Sequence, residues 1–84
     1  MILFQSADAK AQLGEILKRQ RKLLGLTQAQ AAERQGVDLG TIWRWEHGQQ
    51  LPKLLKTLTA YCNKLRMNKE QIEQVKDLYL DAGK

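Results

Sequence analysis

Residues 25–52, which read GLTQAQAAERQGVDLGTIWRWEHGQQLP, decide the fold of this chain. Thr27 is followed three residues later by Gln30, which is the spacing of a capping box at a helix start. Gly36 supplies a residue that tolerates a positive φ angle where such a helix would end. The first half of the stretch therefore predicts a short helix at about residues 28–35, followed by a glycine-containing turn.

The second half of the stretch predicts another helix, at about residues 39–47, with Asp38 as its N-cap and Gly48 just past its end. Only Ile42 and Trp45 in this helix are clearly apolar positions on an inward side. A helix held by so narrow a stripe has the shape of a recognition helix that enters the major groove of DNA. From the residues alone, an ordinary corner between two helices of a small bundle remains the alternative.

The spacing of apolar residues predicts three further helices, at about residues 9–24, 53–65 and 69–82. Ser6 or Asp8 is expected to cap the first of them, and Pro52 to open the fourth. The inner faces are expected to carry Leu13, Ile16, Leu17, Gln20 and Leu24 in the first helix, Leu54, Leu58, Tyr61 and Leu65 in the fourth, and Ile72, Val75, Tyr79 and Ala82 in the fifth. No stretch alternates apolar and polar residues as a strand does. We expect an all-α fold of five helices, forming one domain over residues 1–84.

Composition excludes several classes of protein. The single cysteine and single histidine exclude a disulfide framework, a cysteine-based zinc site and a histidine pair for a metal. No run of about 18 apolar residues occurs, and the apolar start at residues 1–4 is too short for a signal peptide. We find no nucleophile–base arrangement and no phosphate-binding glycine loop. We therefore expect a soluble cytoplasmic protein that is not an enzyme and that uses neither a cofactor nor a metal.

The charge of the chain points to a polyanionic partner. Fourteen Lys and Arg residues against nine Asp and Glu residues give a net charge of +5. Residues 1–67 hold eleven basic and five acidic side chains, a net +6, whereas residues 68–84 hold three and four, a net −1. The basic excess lies in the body of the chain rather than in a tail, which favours nucleic acid as the partner.

From about Leu13 to Leu65 the chain resembles the DNA-binding domain of the Cro and phage-repressor (XRE-like) helix-turn-helix family. The segments that carry the resemblance are LGEILKRQRKLLGLTQAQAAERQGV at residues 13–37, TIWRWEHG at residues 41–48, and Pro52. The resemblance implies a five-helix lambda-repressor-like domain in which helices 2 and 3 form the helix-turn-helix. It also implies a sequence-specific transcriptional regulator that binds double-stranded DNA, usually as a homodimer on a two-fold operator.

The same resemblance assigns base contacts to four residues of helix 3: Leu39, Gly40, Trp43 and Arg44. Many relatives carry polar side chains at the positions of Leu39 and Gly40. Leucine offers only an apolar contact, for example to a thymine methyl group, and glycine offers no side chain. Direct readout is therefore expected to depend on Arg44 and Trp43.

Phosphate contacts are assigned by the resemblance to Gln28, Thr41, Gln49, Gln50 and Lys53. Gln28 lies in the first turn of helix 2, where free backbone N–H groups and the positive end of the helix dipole favour an anion. Lys53 adds a positive charge near the start of helix 4.

Two further residues, Arg21 and Glu46, are expected from the resemblance to form a structural ion pair beneath helix 3. A buried charge needs a partner, and the arginine fork suits a bidentate bond to a carboxylate. The pair would orient the recognition helix rather than contact a base.

The expected partners are DNA and a second copy of the chain, with no membrane. Helix 5 is the candidate dimer element, through Ile72, Val75 and Tyr79. The alternative is an antitoxin-like or accessory module whose main partner is a protein. Leu39 and the tryptophans of helix 3 would be ordinary at a protein interface, where aromatic anchors dominate the binding energy.

Overall fold

Five α-helices form the fold of the computed structural model, which describes residues 6–83. They are α1 (Ser6–Leu23), α2 (Gln28–Gln35), α3 (Leu39–Glu46), α4 (Leu55–Lys64) and α5 (Lys69–Ala82). No strand occurs within residues 6–83, so the predicted all-α class is confirmed. In the same range no helix is long and apolar enough to cross a membrane. The apolar start at residues 1–4 lies outside the described residues.

The predicted caps around the turn between α2 and α3 are confirmed. Thr27 Oγ1 accepts a hydrogen bond from the Gln30 amide at 3.1 Å, and Gln30 Oε1 accepts one from the Thr27 amide at 2.8 Å. Gly36 ends α2 in the left-handed conformation, with φ 78°. Asp38 caps α3 by accepting a hydrogen bond from the Thr41 amide at 2.7 Å. These local bonds fix the length of both helices and the angle at which they meet.

Two predicted helix starts are wrong. Helix α1 already includes Ser6, so neither Ser6 nor Asp8 is its N-cap. The apolar pattern begins only at Ala9, the first buried residue described, so the start of α1 predicted from it came too late in the chain. Helix α4 begins at Leu55 because Leu54 keeps an extended backbone, with φ −116° and ψ 135°. Pro52 therefore stands in the connection ahead of α4 and does not open the helix.

The connection before α4 is held by α5. The Tyr79 hydroxyl donates a hydrogen bond to the Pro52 carbonyl oxygen at 2.6 Å, and Pro52 is buried. Leu54 is 55% exposed and so is not part of the inner stripe that its spacing suggested. The other predicted members of that stripe, Leu58, Tyr61 and Leu65, are buried.

Helix α1 packs against both α3 and α5. The core draws residues from all five helices and the connections between them. Trp45 of α3 meets Tyr61 of α4 edge to face, with 5.3 Å between the ring centroids. The buried core residues are Leu13, Leu17, Leu26, Ala31, Ala32, Ile42, Trp45, Leu58, Tyr61, Cys62, Leu65, Met67 and Val75. Burial of this apolar surface is the main force that holds the short helices together.

Helices α1 and α3 approach each other so closely that only glycine fits at position 14. A Cβ atom at Gly14 would lie 2.4 Å from the carbonyl oxygen of Glu46 and 2.6 Å from that of Trp45. Both obstacles are backbone atoms, which cannot turn aside as a side chain can. The absence of a side chain at Gly14 therefore sets the depth at which the end of α3 sits on α1.

We expect Gly14→Ala to lower the free energy of unfolding by about 1–3 kcal/mol, because the added methyl group forces α1 and α3 apart. Alanine favours a helix over glycine by roughly 1 kcal/mol, so this loss is net of a local gain. Urea denaturation measures it. Gln12→Ala, at an exposed position of the same helix, is the matched control and should change little. A Gly14→Ala protein as stable as the wild type would contradict the close approach.

The apolar side of α5 faces its own chain. Val75 is fully buried, and Ile72 and Tyr79 pack against the core. Gln71 of α5 donates a hydrogen bond at 3.3 Å to Gln20 of α1. Val75 therefore cannot contact a second protomer, and the predicted dimer interface is wrong on this point, because helical spacing does not distinguish a face that packs within the chain from one that packs between chains.

Candidate nucleic-acid interface

One side of α3 is exposed along its whole length. Leu39 is 48% exposed and Trp43 39% exposed, while Gly40 and Arg44 are half-exposed. These are the four residues predicted to face bases, and their spacing places them on one side of the helix. The opposite side is anchored in the core by Ile42, which is fully buried. The helix thus presents a continuous strip of side chains to whatever lies beside it.

The base of α3 is fixed by a buried ion pair between Arg21 and Glu46, which are 6% and 5% exposed. Arg21 Nε donates to Glu46 Oε2 at 2.6 Å and Arg21 Nη2 donates to Glu46 Oε1 at 3.0 Å, so the contact is bidentate. Arg21 Nη1 also donates to the Leu26 carbonyl oxygen at 2.8 Å. The hydrogen bond to Glu46 raises the pKa of Arg21 above its ordinary value. One arginine therefore joins α1, the connection to α2 and the end of α3.

Gln28 is attached to the same ion pair. Its Nε2 donates a hydrogen bond to Glu46 Oε1 at 3.1 Å, while the residue remains half-exposed in the first turn of α2. The bond ties the start of α2 to the end of α3, so the two helices of the turn share one carboxylate. The second hydrogen of the Gln28 amide group is not used in this bond.

Arg44 belongs to a polar network on the exposed side of α3. Its Nε donates to Gln50 Oε1 at 3.1 Å, and its Nη2 donates to Thr41 Oγ1 at 3.3 Å. The Thr41 hydroxyl in turn donates to Asp38 Oδ1 at 2.6 Å. The hydrogen bonds from the Thr41 side chain and amide lower the pKa of Asp38, so this carboxylate stays ionised near neutral pH. The network connects the N-cap, the helix and the loop that follows it.

Residues 49–53 form the loop that follows α3, in which Gln49, Gln50 and Lys53 are exposed and Pro52 is buried. The backbone amides of Gln49 and Gln50 donate to the Arg44 carbonyl oxygen at 3.0 Å and 3.4 Å. These two amides are used within the chain, so phosphate contacts from this loop depend on side chains. Gln49 and Lys53 are exposed, whereas the side-chain oxygen of Gln50 is occupied by Arg44.

Trp43 and His47 form a stacked aromatic pair at the C-terminal half of α3. Their ring centroids lie 4.0 Å apart with 19° between the planes. His47 Nδ1 also donates a hydrogen bond to the Trp43 carbonyl oxygen at 2.8 Å. The stack holds the indole against its own helix, and Trp43 remains 39% exposed.

Sequence reasoning missed two features of this surface. Trp43 and His47 have the i, i+4 spacing of helical neighbours, so the sequence alone could have predicted that their side chains lie close together. The sequence could not have predicted the contact between Arg44 and Gln50, because this contact crosses the end of a helix and depends on the path of the loop. Within residues 6–83 no cluster of His, Cys, Asp or Glu side chains could hold a metal ion.

Comparison with protein families gives one finding. The family model described as a helix-turn-helix domain matches residues 12–75. The chain belongs to the helix-turn-helix domain family. The match covers the core of the fold and the whole exposed side of α3, from α1 to the middle of α5. No curated protein matches the chain.

Proposed function

We propose that this helix-turn-helix domain is a sequence-specific DNA-binding transcriptional regulator that places α3 in the major groove. The single observation that supports this most strongly is the exposed strip of α3, held from below by the buried Arg21–Glu46 pair. An α-helix fits the width of the major groove, and an arginine on its outer side can bond to the edge of guanine. Arg44 is the proposed main reader, with apolar contacts from Leu39 and Trp43.

Phosphate contacts on either side of α3 would fix its register on the duplex. At the start of α2, Gln28 and the first-turn amides form one anion-binding position. Beyond α3, Gln49 and Lys53 form the other, with Lys53 supplying charge. Thr41 and Gln50, which we also expected to contact phosphates, are joined to Arg44 in the structure and fit better as its supports.

We propose that the protein acts as a homodimer on a two-fold operator. A single helix-turn-helix module buries little DNA surface, so pairing of two modules raises both affinity and specificity. The dimer contact must use residues other than Val75. Leu80 lies on the outer side of α5, is 59% exposed and is a candidate for that contact.

A second candidate function is a protein-interaction module of the antitoxin or accessory-factor type. The observation that favours it is the exposed apolar pair of Leu39 and Trp43 on α3, since such anchors are common at protein interfaces. Trp43 stacked on His47 would serve as a rigid anchor of this kind.

Comparison of Lys53→Ala with Arg44→Ala tests the proposed function. Lys53→Ala should weaken binding to the selected operator and to random duplex alike, and reduce the slope of log K against log salt by about one unit, because one phosphate contact is lost. Arg44→Ala should cost about 1–3 kcal/mol on the operator and less on random duplex, because a base contact discriminates and a phosphate contact does not. Fluorescence anisotropy across a salt series measures both, and a library of randomised duplexes supplies the operator.

Gln28→Ala serves as a further comparison, since it removes a neutral side chain at a proposed phosphate contact. It should weaken both kinds of duplex while leaving the salt slope nearly unchanged. Equal losses for Arg44→Ala on operator and random duplex would show that Arg44 binds only phosphate. A wild-type protein without salt-dependent duplex binding would contradict the proposed function and favour the protein-interaction module.

A further inference from the structure

The guanidinium group of Arg44 lies across Gly40. A Cβ atom at position 40 would be 3.2 Å from Arg44 Nη1 and 3.8 Å from Arg44 Cζ. The shorter distance is tighter than an ordinary van der Waals contact, so the arginine occupies the space that a side chain at position 40 would need. Glycine at this position therefore gives the guanidinium a place against the first turn of α3.

Two hydrogen bonds hold Arg44 in that place from opposite ends. Gln50, in the loop after α3, accepts from Nε at 3.1 Å. Thr41, inside the helix, accepts from Nη2 at 3.3 Å and is itself oriented by Asp38. The long, flexible side chain of Arg44 is thus fixed at Nε and at Nη2, one of its two terminal nitrogens.

The donors that remain suit one base. Arginine carries five N–H hydrogens, of which Gln50 and Thr41 take two, so three remain: both on Nη1 and one on Nη2. Guanine presents two acceptors, O6 and N7, side by side in the major groove, and the ends of an arginine fork match them. The side chain of Arg44 is 41% exposed and so is accessible to a base edge.

We propose that Gly40 and Gln50 are specificity-determining positioning residues, which hold the Arg44 guanidinium ready for a guanine at one fixed position of each half-site. The ligand is therefore a duplex whose half-site carries guanine opposite the start of α3. Because the side chain is fixed before binding, less of its conformational freedom is lost on contact. This inference rests on the proposed function, since it requires α3 to enter the major groove.

Gln50→Ala is the main test, with Gln49→Ala as its matched control. Gln49 is the neighbouring glutamine, and its proposed phosphate contact carries no sequence information, so Gln49→Ala should weaken binding to all duplexes alike and leave the guanine preference unchanged. Half-site preference is measured by competition among duplexes that differ only at the guanine position. Gln50→Ala should lower the preference for guanine by about tenfold, the lower end of the change expected from loss of one hydrogen bond to a charged group. It should leave the salt slope and binding to random duplex unchanged, as a positioning role requires.

Gly40→Ala is a second, independent test. The added methyl group displaces the guanidinium by a few tenths of an ångström, so the guanine preference should fall in the same direction but by less than in Gln50→Ala. Alanine also stabilises a helix relative to glycine, so the melting temperature should stay the same or rise. A loss of preference without a loss of stability separates positioning from unfolding.

The results that overturn the inference differ from those that overturn the proposed function. If Arg44→Ala removes the guanine preference while Gln50→Ala and Gly40→Ala keep it, Arg44 reads the base without these supports, and only this inference fails. Equal losses of the guanine preference in Gln49→Ala and Gln50→Ala would also overturn this inference. If the wild-type protein shows no salt-dependent binding to duplex DNA, the proposed function fails and this inference fails with it.

Discussion

Glu46→Ala should lower the free energy of unfolding by about 3–5 kcal/mol, because it leaves the buried Arg21 charge without its carboxylate. Arg21 is 6% exposed, and two of the three described hydrogen bonds of its side chain go to Glu46. A chain of 84 residues has a total stability of about 4–12 kcal/mol, so the loss is a large part of the whole. Urea denaturation followed by circular dichroism measures the change.

The exposed glutamate Glu33 provides the control for Glu46→Ala. Glu33→Ala removes the same charge from a helix surface and should change stability by less than about 0.5 kcal/mol. The double variant Arg21→Met/Glu46→Leu should be more stable than Glu46→Ala, because it removes both charges and keeps the volume. A loss below about 1 kcal/mol for Glu46→Ala would mean that water reaches the pair in solution.

The same variant links stability to the interface. Glu46 also accepts the hydrogen bond from Gln28, so its loss frees the side chain at the start of α2. A carboxylate that is buried for stability thus also positions a residue proposed to bind phosphate. Weaker DNA binding by Glu46→Ala should persist at temperatures where the protein is still folded.

Local chemistry in the sequence was sufficient to place α2 and α3. The capping box at Thr27 and the left-handed glycine at position 36 each depend on residues close in the chain, which a sequence displays directly. The predicted start of α4 is wrong because Leu54 keeps an extended backbone, which the residues around Pro52 do not indicate. Pro52 is held by Tyr79 from α5, and nothing in the residues around Pro52 records that bond.

The exposed side of α3 was also predictable, since helical spacing decides which residues share a side. The supports of Arg44 were not. Gln50 reaches Arg44 only because the loop folds back on the last turn of α3, where two backbone amides bond to the Arg44 carbonyl oxygen. The sequence predicts at Gly40 a base-facing position without a side chain, whereas the structure shows that the guanidinium of Arg44 lies across it.

The face of α5 shows why an apolar stripe alone does not identify an interface. The stripe through Val75 predicted a contact between protomers, yet Val75 has no exposed surface within one chain. Helix α1 packs against α5 and also carries fully buried apolar residues, Leu13 and Leu17. Two apolar helix faces in one chain can pack against each other. A prediction made for each helix separately does not take this packing into account.

Val75→Asp should therefore unfold the chain rather than release a folded monomer. A carboxyl group without a partner in the core costs about 4 kcal/mol or more, to which the lost packing of the valine adds. That is comparable to the whole stability of a domain of this size, about 4–12 kcal/mol. Circular dichroism at 25 °C should show loss of the helical signal.

Gln74→Asp introduces the same charge at the adjacent exposed position of α5 and should leave the fold intact. Leu80→Asp separates folding from assembly: Leu80 is 59% exposed, so the variant should stay folded, and sedimentation should show a smaller species if this side of α5 joins two protomers. A folded, monomeric Val75→Asp protein beside a dimeric wild type would contradict this prediction, because it would mean that Val75 is buried between chains and not within one.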